Sequence, residues 1–116
     1  MSNVQVTNQV PVGLIARSTG LENSRVLKTG RGVLTLLLGY SSKAGAQFIQ
    51  LFDATAVPAE GTPPDLVFSV PATSAFPAIY LGGGLPFYKG LVICNSSTAP
   101  TKTIGAADCY FTGVID

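Results

Sequence analysis

Thirteen glycines and eight prolines are spread along these 116 residues, and no stretch of ten or more free of them keeps the 3.6-residue apolar period of an amphipathic helix. Each glycine inside a helix costs about 1 kcal/mol and each proline about 3. The chain is therefore expected to be all-β, as one domain with its own core.

Residues 33–40 place Leu34, Leu36, Leu38 and Tyr40 at alternate positions, which predicts a strand with that face turned to the core and Leu37 partly buried opposite. Residues 47–53 read as a central strand, apolar on both faces. Three prolines and Gly61 make 54–64 a loop. Short strands follow at 66–70 and 78–81, the second ended by a glycine turn at Gly82, Gly83 and Gly84. Residues 87–94 and 109–115 suggest a terminal hairpin around a polar loop at 95–108. In that register Cys94 faces Cys109 and Val92 faces Phe111. The cysteines then suit either a cross-strand disulfide or, as the lack of a visible export signal favours, two buried reduced thiols.

The chain is 47% hydrophobic but only 11% charged, against about 25% charged in ordinary soluble domains. No apolar run approaches the ~20 residues of a membrane-spanning helix, so the excess apolar surface is expected to lie in strands and protein interfaces. The chain is therefore expected to have an obligate partner or to be a homo-oligomer, and not to be a membrane protein. A net charge of +1 gives no field that would hold nucleic acid.

Residues 1–30 differ from the rest and are read as an N-terminal arm with edge strands, ahead of a body at 31–116. Residues 4–13 alternate weakly between apolar and polar, and Arg17, Arg25, Lys28 and Arg31 supply four of the seven basic side chains. Those four either dock the arm on an acidic protein surface or blunt the edge of a sheet against unwanted pairing.

With no histidine the usual general base and commonest metal ligand are missing. Two cysteines do not make a four-ligand zinc site. No catalytic residue, cofactor or metal is expected. Asp53 with Asp65 could serve glycoside hydrolysis only at a separation that sequence does not fix. The Gly82 to Gly84 run lacks the lysine and helix of a phosphate loop. Asn95-Ser96-Ser97 reads as the start of a polar loop. Tyr40, Tyr80, Tyr88 and Tyr110 with Phe48 and Phe87 could build a sugar platform, although aromatics alternating in strands more often fill cores and interfaces.

Gln47, Gln50, Leu51, Phe52, Asp53 and Ala54, then Pro58, Ala59 and Gly61, form a "Q-x-x-Q-L-F-D-A" strand and a "P-A-x-G" loop. Residues 90–98, beginning Gly90-Leu91-Val92 and ending Asn95-Ser96-Ser97-Thr98, resemble a "G-I-V-x-x-N-S-S-T" arm. In order, over about the last eighty residues, these stretches resemble small structural proteins of tailed bacteriophages, including capsid cement or decoration proteins. The resemblance implies a single antiparallel β-sandwich, jelly-roll-like, trimeric, bound to the major capsid protein or other virion proteins. It also implies location on the virion after assembly in the host cytoplasm. A carbohydrate-binding module on a tail or fibre, with a ligand site in loops near 82–86 or 96–102, is the alternative.

Overall fold

The computed structural model describes residues 14–116, and for residues 76–82 the backbone alone. The described residues contain eight strands and no helix: β1 (Leu14–Arg17), β2 (Ser24–Thr29), β3 (Gly32–Ser41), β4 (Gln47–Asp53), β5 (Leu66–Val70), β6 (Ser74–Phe87), β7 (Gly90–Ser96) and β8 (Cys109–Ile115). They form two four-stranded antiparallel sheets, ordered β1-β8-β3-β6 and β2-β7-β4-β5. The β1, β8, β3 and β6 strands are called the first sheet and the others the second. The expected arm strand over residues 4–13 lies outside the described residues.

One core lies between the sheets. The first sheet contributes Leu34, Leu37, Phe87, Phe111 and Ile115, and the second Leu27, Ile49, Leu51, Val70, Leu91 and Ile93. Burying a side chain of this size stabilises by about 1.5–3 kcal/mol. The expected strands at 47–53 and 66–70 and the loop between them are present, and β4 is central, paired with β5 and β7.

The strand at 33–40 is present but faces differently from its alternation. Leu34 and Leu37 are the buried pair, at 0% and 1% exposure, whereas Leu38 and Tyr40 are 37% and 41% exposed. The cause is a bulge at Thr35: against β8, Leu34 pairs with Ile115 and Leu36 with Val114, so two steps on β3 match one on β8. An extra residue reverses the alternation beyond it. The Leu36, Leu38 and Tyr40 face is thereby sent outward.

The expected strand at 78–81 is the middle of a longer one, and the glycines do not end it. Gly82, Gly83 and Gly84 lie inside β6, where five steps from Tyr80 to Leu85 oppose two from Leu36 to Leu34. Gly84 has φ +82°, and a Cβ there would come within 2.1 Å of Val33 Cγ1. Only glycine fits this bulged backbone.

The expected terminal hairpin is overturned. Strand β7 pairs with β2 and β4 in the second sheet, and β8 pairs with β1 and β3 in the first. Cys94 stands opposite Gln50 and Ser24, Cys109 opposite Ser41, and both thiols are free and buried. Val92 meets Phe52 and Val26, while Phe111 meets Gly39. The physical reason is β7's burial along its whole length: it needs a strand on either side, and residues 97–108 are long enough to cross from one sheet to the other.

Truncating Leu34 or Leu37 to alanine should cost about 2–5 kcal/mol, and Leu38→Ala less than about 1 kcal/mol because it is already half in solvent. Urea unfolding of the three variants checks the bulge, since an unbroken alternation would make Leu38 the costly position.

Candidate functional site, an uncovered sheet face

The outward faces of the two sheets differ. On the second sheet, Phe52, Val92 and Cys94 point away from the main core yet are buried, packed against Val26, Ala54 and Ile104. Their cover is the crossing segment 97–108, pinned by buried amides. Gln50 Nε2 donates to the carbonyls of Thr98, Ala99 and Thr101 at 2.9–3.1 Å. Asn95 Nδ2 donates to the Ala106 carbonyl at 2.7 Å and its Oδ1 accepts from Gly105 N–H at 3.0 Å. Ser96 Oγ accepts from the N–H groups of Thr98 and Thr103.

A second loop clasps the first. Lys102, 5% exposed, pairs with the Glu60 carboxylate, whose other oxygen accepts from Ile104 N–H at 2.9 Å. The Gly61 N–H donates to the Lys102 carbonyl, and the Lys102 N–H to that of Thr62. The lysine's hydrogen bond, then the Ile104 N–H, hold the Glu60 pKa below its usual value.

Among the described residues no such cover lies over the first sheet. Its alternation sends Ile15, Leu36, Leu38, Tyr40, Tyr110 and Val114 outward. Ile15 is 71% exposed and Tyr110 37%. Tyr40 and Tyr110 are direct cross-strand partners, as are Leu36 and Val114. Soluble monomers rarely leave such a contiguous apolar patch open.

The four basic candidates do not lie on one strand. Arg17 is exposed on β1, at the edge of the first sheet. Arg25 and Lys28 are on β2, the edge of the second, and the two edge strands meet along one flank. Arg25 is paired with Glu22, Nε to Oε2 at 2.6 Å, Lys28 Nζ donates to the Thr29 carbonyl, and the Arg31 guanidinium sits 5.7 Å from the Tyr88 ring centre.

The aspartates considered for catalysis have structural work. The Asp53 carboxylate accepts N–H groups of Tyr88, Lys89 and Gly90, and the Lys89 bond foremost lowers its pKa. Asp65 Oδ2 accepts from Asp53 N–H at 2.7 Å. Beside them a cavity of about 230 Å³ opens among Leu51, Asp65, Leu85, Pro86 and Tyr88, which includes part of the expected ligand loop near 82–86. The other expected loop, near 96–102, is folded onto Gln50. Among the aromatics, Phe87 is core, the Tyr80 side chain lies outside the described residues, and Tyr88 lines the cavity while Tyr40 and Tyr110 pair on the first sheet, so these described side chains form no single platform. No cluster of three or more His, Cys, Asp or Glu residues suited to a metal occurs among the described residues, and no helix there is long and apolar enough to cross a membrane.

Comparison with family models, curated proteins and solved structures finds no match to this chain.

Two measurements follow from these environments. Burial pushes the Cys94 thiol up to about 11 and, with Asp108 beside it, the Cys109 thiol to about 12. Less than about 1% of either is thiolate at pH 8, so neither should react with a disulfide reagent until the protein unfolds, when both should. Asp53 and Glu60 have lowered folded pKa values, so their contribution is present above the unfolded values of 3.8 and 4.5 and is lost as pH falls through the folded ones. Asp53→Asn should flatten this acid limb in a pH series of thermal melts.

Proposed function

We propose that this protein is a non-enzymatic structural component of a bacteriophage virion: a capsid cement protein whose two sheets form a jelly-roll sandwich. The observation that carries the reading is the strand order. Neighbours pair as β1 with β8, β2 with β7, β3 with β6 and β4 with β5, the pattern of one long antiparallel hairpin rolled across two sheets. Eight-stranded double-sheet jelly rolls of this kind recur in viral capsid and lectin domains. The resemblance of the Gln47 to Ala54 and Gly90 to Thr98 stretches to phage structural proteins favours the capsid. Fold alone does not assign function, and the open apolar face supplies the further argument: a shell-stabilising protein acts by burying such a surface between copies of itself and against the coat.

In this reading the body of the protein stabilises the shell by contact alone. The N-terminal region, residues 1–30, makes the contact with the major capsid protein or a neighbour, and Arg17, Lys28 and Arg31 steer the approach over the screening length of ~8 Å at physiological ionic strength. Copies associate, as trimers if the resemblance holds. The protein is made in the host cytoplasm and ends on the capsid surface.

A second reading, a carbohydrate-binding module on a tail or fibre, is favoured by one observation, the cavity between Asp65, Leu85 and Tyr88. An exposed tyrosine beside a carboxylate is suited to sugar rings and hydroxyls.

Particles lacking the protein should lose integrity at lower temperature than decorated ones, and adding it back should restore them. Equal stability with and without it, together with glycan binding that Tyr88→Ala abolishes, would replace the first reading by the second. Removing residues 1–13 should weaken decoration while leaving the melting temperature of the free protein unchanged. A cut after Thr19 instead removes β1 and the buried Ser18, whose Oγ accepts from Phe111 N–H at 2.9 Å, and should destabilise the fold.

A further inference from the structure

We infer that the outer face of the first sheet is a two-fold contact on which a second copy of this chain lays the same face. This deepens the self-association in the proposed function, and rests on that reading only for the larger assembly the pairs would join.

A bare β-sheet face requires an occupant that brings its own satisfied backbone. A lone extended strand laid flat on the sheet would bury unpaired N–H and C=O groups, each a substantial penalty. This argues against residues 1–13 as the cover, although Val4, Val6, Val10 and Val12 alternate there and the segment leads directly into β1. Among the described residues there is no helix to lie across the sheet. What remains from this chain is another sheet, which packs at about 10 Å with interdigitated side chains.

The face is suited to its own copy. Its centre carries Leu36, Leu38, Tyr40, Tyr110 and Val114 around Thr112, which stands opposite Leu38, with no charge among them, and Arg17, opposite Thr112 on the edge strand β1, places its charge at the rim. No uncompensated charge would be buried when two such faces meet, and two tyrosines sit side by side, the residue type enriched at interface centres. The size sets the strength. β1, β8 and β3 present four, seven and ten residues and β6 the span paired with β3, which at about 3.3 Å per residue and about 4.8 Å between strands gives a footprint of about 500 Å² per copy. Two copies then bury about 1,000 Å², the size of a weak, reversible contact.

The other outer face is self-sealed by Ile104 and the Lys102–Glu60 clasp, so the contact is confined to one side and closes on itself. It yields a dimer alone, or joins two rings face to face if a separate contact makes trimers.

The test uses the full chain, with mass measured by sedimentation equilibrium across a concentration series. Tyr110→Asp and Leu38→Asp place a charge at the centre of the face without touching the core. Each should halve the mass of the assembly, from dimer to monomer or from hexamer to trimer, and weaken the contact by about 100-fold or more, the scale of a hot-spot loss. Circular dichroism and melting of the monomeric unit should be unchanged, and Val67→Asp on the second sheet should leave the mass as in the wild type. Wild-type mass in both face variants overturns the inference, as does a wild-type protein that stays monomeric to millimolar concentration. Loss of association on removing residues 1–13, with the face variants unaffected, would give the contact to that segment. The same variants added to particles separate the two proposals: a variant of half mass that still decorates keeps the two-fold contact and moves shell attachment elsewhere, while undecorated particles with the wild-type protein count against the cement reading alone.

Discussion

The architecture depends on the way residues 97–108 are held down. Gln50 is fully buried on a face that would otherwise be solvent, and its amide gathers three carbonyls of that segment. With Asn95 and Ser96 it supplies donors and acceptors to a crossing that would otherwise leave polar backbone unsatisfied over an apolar surface. Removing one partner in such a network exposes the others to an unpaired burial cost of about 1–3 kcal/mol each. Because the crossing is pinned, Phe52, Val92 and Cys94 are sealed, and β7 can be apolar on both faces. Among the described residues the covering loops lie on one sheet and none lies on the other.

This gives the resemblance motifs a physical content. Gln47 Nε2 reaches Ser41 Oγ at 2.8 Å and Asp108 Oδ1 at 3.0 Å, linking the two sheets at one end. Asp53 gathers the turn before β7 at the other. Gln50 and the Asn95-Ser96 pair hold the crossing. Gln47, Gln50, Asn95 and Ser96 are internal ties, and Asp53, which holds its turn, also lines the cavity beside Asp65. In the proposed reading the working surface is the apolar face of the first sheet, which these motifs do not touch.

How far the sequence spoke depended on the range of the interactions. Strand existence was legible at β4 and β5, because local alternation and flanking prolines decide it. The facing of β3 was not, because one bulged residue at Thr35 reverses the parity and nothing in the side-chain pattern marks it. Leu36, Leu38 and Tyr40 looked like core for that reason. The partner of β7 was also hidden: a polar loop between two apolar runs reads as a hairpin, while the sheet crossing depends on long-range bonds from Gln50 and Glu60. Low charge pointed to a protein interface, but the face proposed for it, Leu36, Leu38 and Tyr40 with Tyr110, is set by the fold. The four basic residues were visible as a cluster in sequence, yet Arg25 is engaged by Glu22 and Arg31 lies against Tyr88.

The central claim is that one outer face is closed by the chain itself and the other by protein. Hydroxyl-radical footprinting over a protein concentration series reads this directly, tyrosine by tyrosine. Tyr40 and Tyr110 should be oxidised readily in dilute protein and become protected together as it assembles, while Tyr88, on a separate surface, stays reactive throughout. Tyr40 and Tyr110 remaining as reactive as Tyr88 in the fully assembled protein would contradict the account.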